Sequence, residues 1–324
     1  MPDAAADILR RIDRRIGVPG IADLLAERLA PTDLQSLLLA VSRRRADRTR
    51  PVELLQRYER DRFVQPSAVD STALLALEHT ARRHLPAGFE VLALSPVCPL
   101  GSVAALTAVD QNSVLATTRG TEVVSDPTNV LALECALRRR RLLAAQRGSH
   151  QRVHLAATHR ALRAQVWDDP AFSQHFALLG LCTAGRDEGA FGFESEALVE
   201  HLRFYARLLG GLADHGLEPG TLRVDVTPIG GEREAVLVRT VIEPLSAEFP
   251  DATFALDLGR ARALGYYREA CLRITIQTAS GELLELADGG FTDWTQQLLG
   301  NRKERLLISG IGLERLAGAL SHAP

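Results

Sequence analysis

The spacing of apolar positions changes character near residue 65. From residue 3 to about 62 they recur at helical intervals: DILRRIDRRIG, IADLLAERL, LQSLLLAVSRRRAD and VELLQRYERDRF each pair an apolar stripe with a charged face. Pro31-Thr32-Asp33 and Pro51 stand where helix starts place proline. Helices this short gain little from propensity alone, so they must pack on something. The stretch VQPSAVDS at 64–71 interrupts the pattern, and Asp70 or Ser71 can cap the next helix, TALLALEHTARRHL, which Pro86-Ala87-Gly88 ends.

Beyond that break the pattern turns to short apolar runs and alternation. FEVLALSPV, SVLATT, RVHLAAT, HFALLGLCTAG, LRVDVTPI, TFALDL, CLRITIQTA and LLELADG read as strands. Helices are predicted over NVLALECALRRRRLLAAQ, from Ser195 to about His215, and from Gly312 to Leu320. In the first of these, arginines crowd the C-terminal half, as the helix dipole favours. A helical front followed by strands with only occasional helices predicts an α+β fold on an antiparallel β-sheet flanked by helices, rather than a wound parallel sheet. The expected division is an N-terminal helical extension over residues 1–65 and a core over 66–324.

Composition narrows the function classes. With 46% hydrophobic and 24% charged residues the chain is long enough to bury a large core, and its formal net charge of -2 excludes a globally basic nucleic-acid surface. Any RNA contact needs a local patch. No stretch approaches the roughly 20 apolar residues of a membrane helix and no signal peptide is visible, so the expectation is a cytoplasmic protein without a membrane partner. Cys98, Cys135, Cys182 and Cys271 are far apart and form no metal-ligand spacing, so no metal site is expected on protein ligands.

Several segments carry chemistry. ISGIGLERLAGAL (308–320) puts two glycines before a Glu-Arg pair at a helix start, which suits close backbone approach to a ligand at Gly310 and Gly312, with Arg315 projected toward an anion or aromatic face. VVSDPTN (123–129) opens a helix in which Asp126 and Thr128 can hold an amino group; Asp-Pro-Thr is equally a good helix start in its own right, and Glu122 in RGTE is a rival acid. THRALRAQ (158–165) offers Arg160, Arg163 and Gln165 in one extended stretch, RALGYYREACLRI (262–274) offers Arg262, Tyr266 and Tyr267, and ELADGGFTDWTQQLLG (285–300) contains Gly289 and Gly290. Bidentate guanidinium groups are the side chains suited to phosphate.

Taken in order, these segments over roughly 72–324 resemble the catalytic core of class II aminoacyl-tRNA synthetases, in the branch of histidyl-tRNA synthetase. The resemblance implies that Arg160 of motif 2 grips the α-phosphate of ATP, that Arg262 supports adenylate formation, and that Arg315 of motif 3, beside Glu314, binds the ATP tail. It also implies that Asp126 and Thr128 hold the substrate ammonium, that Tyr266 and Tyr267 line the amino-acid pocket, and that Arg163, Gln165, Gly289 and Gly290 belong to the substrate site. Magnesium would bridge the phosphates.

The chain departs from the family pattern in specific ways. Leu162 stands where a glutamate reads the adenine amino group, and Phe291 and Thr292 replace an arginine and a tyrosine, the tyrosine being one that helps form the family's histidine pocket. Pro96 falls in the motif 1 region, which in the family forms a homodimer, and an anticodon-binding domain is not expected because the chain stops after motif 3. Two functions follow from the resemblance. One is a stand-alone enzyme that binds ATP, magnesium and an amino acid and passes an aminoacyl group to a protein or RNA acceptor. The other is a non-catalytic paralogue resembling the regulatory subunit of ATP phosphoribosyltransferase.

Overall fold

The computed structural model describes residues 2–107, 109–165, 173–212, 221–231, 233–261, 265–277 and 283–321. Two compact units emerge: residues 1–65 with 116–122, and residues 66–115 with 123–324. In the first, α1 (Pro2–Ile16), α2 (Ile21–Arg28), α3 (Pro31–Ala46) and α4 (Pro51–Arg60) follow the predicted starts, with proline at the head of α3 and α4. No side chain of α2, α3 or α4 is buried.

The second unit opens with α5 (Ser71–His84), whose first turn is capped by the Asp70 carboxylate accepting from the Thr72 and Ala73 amides at 3.3 and 3.2 Å. In chain order there follow β1 (Glu90–Val91), β2 (Val97–Pro99), α6 (Ser102–Thr107) and, after β3 (Thr121–Val123), which falls at the boundary between the units, α7 (Pro127–Ala145). Next come β4 (Val153–Leu162), β5 (His175–Arg186), α8 (Gly192–Gly211), β6 (Thr221–Pro228), α9 (Glu234–Leu237), α10 (Glu243–Glu248) and β7 (Thr253–Leu256). The last elements are β8 (Arg268–Gln277), β9 (Leu283–Thr292), α11 (Trp294–Leu299), β10 (Glu304–Gly312) and α12 (Leu313–Ser321).

One eight-stranded sheet carries the unit, in the order β1-β4-β5-β10-β9-β8-β6-β7. Its two outer pairs, β1 with β4 and β6 with β7, are parallel, and every inner pairing is antiparallel. This is the α+β antiparallel sheet that the alternating pattern predicts. SVLATT is a correction, since it forms a short 3-10 turn at Gln111–Ser113 and one isolated bridge at Ala116 rather than a strand. A second difference is the helical run through α9, a π-turn at Val238–Ile242 and α10; Pro244 lacks the amide that would continue the regular ladder.

Both sheet faces are covered. Leu179, Leu181, Val224, Leu272 and Ile274 on one face pack with α8 residues such as Leu198, Leu202 and Leu208 and with Leu316 of α12. On the other, Leu155, Cys182, Leu306 and Ile308 pack with Leu131 and Cys135 of α7 and Trp294 of α11. Under α8 runs a buried polar chain. His201 bonds Thr183 Oγ1 through Nε2 at 2.9 Å and Ser309 Oγ through Nδ1 at 2.8 Å, and Tyr205 donates its hydroxyl to the same Ser309 oxygen at 2.8 Å. Thr183 continues to His154, which pairs with Glu200 at 3.0 Å.

Burial first, and the neighbouring His154 second, push the His201 pKa down to about 3. The folded state therefore holds this imidazole neutral, while the unfolded chain protonates it near pH 6.5. Stability is complete above that value and falls as the pH drops toward 3, at about 1.4 kcal/mol per pH unit for the one proton. Urea unfolding at pH 6.5 and pH 5 should show wild type losing about 2 kcal/mol more than His201→Gln. Equal losses would mean that His201 is protonated in the fold.

Candidate functional site

The site begins where α7 meets β5. A Cβ on Gly180 would stand 3.0 Å from the Pro127 ring and 3.1 Å from the Thr128 methyl, so a glycine in mid-strand lets the first turn of α7 lie against the sheet. Asp126 caps that turn: one carboxylate oxygen accepts from the Thr128 amide at 2.9 Å and from its hydroxyl at 2.7 Å. The other accepts from Arg163 at 3.2 Å. Arg163 also donates to the Ser125 carbonyl at 3.1 Å, and its guanidinium lies 5.0 Å over the Phe176 ring.

Aromatic rings form a second wall. Tyr266 stands edge-on to Tyr267 at 4.8 Å between centroids and to Trp294 at 5.8 Å. Gly290 is the residue that admits them, because a Cβ there would fall 2.6 Å from the Tyr267 ring and 2.8 Å from Cys271. Gly289 serves the sheet itself: a Cβ would meet the Ile308 carbonyl at 2.5 Å and Ser309 at 2.6 Å. In this structure the two glycines thus make room for neighbours. The tyrosines are followed by a bulge in β8 at Glu269, whose φ of 56° lies in the left-handed region.

Behind Tyr267 lies a charged pair that sequence reasoning did not single out. Arg260 donates to Asp288 at 3.0 Å and to the Leu272 carbonyl at 3.2 Å, and the Tyr267 hydroxyl points to the other Asp288 oxygen at 3.4 Å. Desolvation raises the Asp288 pKa, with Arg260 opposing it. Burial likewise raises both tyrosines; the next contribution is from Asp126 for Tyr266 and from Asp288 for Tyr267, which places the two phenols in the field of both carboxylates. Asp288 directly precedes Gly289 in the chain, and its position before a Gly-Gly pair was the available signal.

The expected phosphate-binding residues are arranged differently. Arg160 forms an ion pair with Glu314 at 2.9 Å and bonds His175 Nδ1 at 2.9 Å. The same Glu314 oxygen accepts from Ser67 at 3.0 Å. Arg315 donates to the Glu285 carbonyl at 2.9 Å. Gln165 is exposed at the end of a described run, and Arg262 lies outside the described residues. The structure therefore joins Asp126, Thr128 and Arg163 in one hydrogen-bonded group near Tyr266 and Tyr267, and joins Arg160 to Glu314 in another.

These arrangements differ in what they can bind. At the α7 end, a carboxylate, a guanidinium and two phenols offer both signs of charge against an aromatic wall, which suits a zwitterion. At the α12 end the fit to ATP with magnesium is poor: Arg160 already carries a carboxylate, Arg315 holds a main-chain carbonyl, and Leu162 supplies no acceptor for an adenine amino group. Among the described residues no cluster of three or more His, Cys, Asp or Glu side chains can hold a metal ion, and no helix is long and apolar enough to cross a membrane.

No protein-family model matches the sequence, and no curated protein matches it. Solved structures do. Histidyl-tRNA synthetase from S. aureus, in its apo form, superposes with a TM-score of 0.53 at 12% identity, over 77% of this chain and 65% of that enzyme, so the chain spans just under two thirds of its length. An ATP phosphoribosyltransferase regulatory subunit/histidyl-tRNA synthetase from Bacillus halodurans matches with a TM-score of 0.55 at 13% identity, over 80% of this chain and 82% of that one. A histidine–tRNA ligase subunit from Alicyclobacillus acidocaldarius gives 0.55 at 14%, over 80% and 96%. At such identities the likeness is one of fold: the sheet and its flanking helices match the class II synthetase fold of these histidyl-tRNA synthetase-type proteins.

Proposed function

We propose that the chain is a non-catalytic, amino-acid-binding paralogue of the histidyl-tRNA synthetase core, regulatory in the manner that the name of the Bacillus halodurans protein implies. One observation carries this reading: the half of the site suited to an amino acid is built, with Asp126, Thr128 and Arg163 beside Tyr266 and Tyr267, whereas in the half suited to phosphate Arg160 is taken by Glu314. An amino acid would set its ammonium on Asp126 and its carboxylate toward Arg163, with its side chain against Tyr266, which Tyr267 and the buried Trp294 hold in place. Assembly through the region around Pro96 into a homodimer belongs to the same reading.

A second reading, amino-acid activation with ATP and magnesium, is favoured by the persistence of Arg315 at the start of α12. Stable transition-state charge on the α-phosphoryl group requires donors aimed at it. In this fold Arg160 can serve only if it leaves Glu314.

ATP–pyrophosphate exchange with a full amino-acid panel, run beside thermal unfolding with the same panel, separates the two. The expected result is no exchange with any amino acid, together with stabilisation by one of them of about 2.7 kcal/mol at 100 times its Kd. Exchange above background would establish the activating enzyme instead.

A further inference from the structure

The N-terminal unit leaves its apolar residues uncovered. Of the eighteen large hydrophobic side chains that stand exposed among the described residues, twelve lie between Ile8 and Val64. A fully exposed aliphatic side chain shows on the order of 100 Å² of apolar area, so twelve at about half exposure offer on the order of 600 Å². That is the upper end of the roughly 300–600 Å² patch of a monomer. It also exceeds the apolar share, a little over half, of the roughly 800 Å² that each partner buries in an interface of standard size. The longest helix of the unit, α3, sets its share in one stripe: Leu34, Leu37, Leu38 and Val41 recur at intervals of three and four, the spacing of a helix–helix seam. Leu37, Leu38 and Val41 are 41, 38 and 46% exposed, whereas Leu39, on the opposite side of the helix, is half-buried.

We propose that α3 pairs antiparallel with α3 of a second copy of this chain, stripe against stripe. The stripe reads the same in both directions: turned end for end, Leu34 meets Val41 and Leu37 meets Leu38. Charge follows the same symmetry. Asp33 in the first turn and Arg44 in the last are eleven residues apart, about three full turns, so they lie on one flank of the stripe. Reversal therefore lays Asp33 of each copy beside Arg44 of the other and closes both ends of the seam with an ion pair. A contact across a twofold axis demands this self-complementarity, and a partner of different sequence would gain nothing from it. The contact lies within residues 31–46, away from the region around Pro96, and holds whether or not an amino acid binds near Tyr266.

Cross-linking and sedimentation of the full chain test it. All four native cysteines are buried, so a cysteine placed on α3 supplies the accessible thiol. Leu38→Cys, beside the axis, should give a covalent two-chain species on mild oxidation with diamide, whereas Ser36→Cys, on the opposite side of the helix, should stay single. Leu37→Glu with Val41→Glu, at positions exposed enough to leave the fold intact, should raise the dissociation constant of the assembly at least about tenfold. Asp33→Arg and Arg44→Asp should each weaken it about two- to tenfold, and both changes in one chain should restore it. Equal cross-linking at 36 and 38 overturns the pairing, as does a dissociation constant unmoved by the two glutamates, or a wild-type chain that is monomeric at high micromolar concentration. A double charge swap that restores nothing overturns it too, since the antiparallel register requires the rescue. A dimer held through the region around Pro96 alone would give neither the cross-link at 38 nor the response to glutamate.

Discussion

Glu304→Ala lowers the unfolding free energy by about 3–5 kcal/mol, as much as emptying the core of one of its large aromatic side chains. Glu304 opens β10 and Arg139 lies in the second half of α7, and both side chains are fully buried. Two hydrogen bonds join them, Nε at 2.7 Å and Nη2 at 3.1 Å; Nη2 also donates to the Ser149 carbonyl, and Nη1 donates to the carbonyl of Gln151. Removing the carboxylate leaves a fully buried cation with only two carbonyl partners, and a domain's whole stability is on the order of 5–15 kcal/mol. Urea unfolding measures the effect as a shift in midpoint at unchanged slope. Replacing both partners, Arg139→Met with Glu304→Leu, should restore most of the loss, since the desolvation cost disappears along with the attraction. A single-variant loss below about 1 kcal/mol would show that solvent reaches the pair.

Binding of the amino acid found by the panel should fall about 100-fold in Asp126→Asn, while the protein keeps its fold. Asparagine caps a helix as well as aspartate does, so α7 still starts at Pro127 and stability should change by less than about 1 kcal/mol. What disappears is the charge that an ammonium meets and that Arg163 now neutralises at 3.2 Å. Deleting one member of such a charged group costs roughly 2–5 kcal/mol in binding, largely because the other charge is left without its partner. Calorimetry on wild type and variant reads the ratio directly. Undiminished affinity would place the ammonium elsewhere and remove the main support for an amino-acid site at α7.

How far the sequence led depended on whether the determinants were local. The cap at Asp70, the proline starts of α3 and α4, and the start of α7 at Asp126-Pro127 are short-range signals, and the structure carries all of them where the pattern predicts. The runs beginning at Arg152, His175, Leu222, Cys271 and Leu283 fall in β4, β5, β6, β8 and β9, whereas FEVLALSPV yields only the two-residue β1 and the first residue of β2. SVLATT shows the limit, since β-branched residues without a partner strand make a turn and a single bridge. The helical run through α9 and α10 was missed because Pro244 and four valines and isoleucines in a short stretch do not read as helix.

At the site, the residues that chain-local motifs nominate were legible, and their partners were not. Nothing in THRALRAQ reveals that Arg163 turns to Asp126 while Arg160 turns to Glu314, 154 positions away in one case against 37 in the other. Asp288 and Arg260 were overlooked because each acquires meaning only when β9 brings them together beside Tyr267. The arginine run of α7 illustrates the same point. Read along the chain it suits a helix dipole, yet Arg139 is consumed by the buried Glu304 and Arg138 by Glu90 and Glu134.

The place of β10 in the sheet has a consequence for how the molecule is made. It is the last strand of the described chain to be synthesised, yet it lies between β5 and β9 and joins the half-sheet β1-β4-β5 to the half-sheet β9-β8-β6-β7. Until residues 304–312 have left the ribosome, both halves present an open edge of unpaired amides and carbonyls, on β5 and on β9. Pairing then spans more than a hundred residues, from Gly312 to Leu178, so closure is slow by its topology. The nascent chain passes through a stage with two sticky ribbons and no centre, where chaperone binding and strand-edge aggregation compete with the arrival of its keystone.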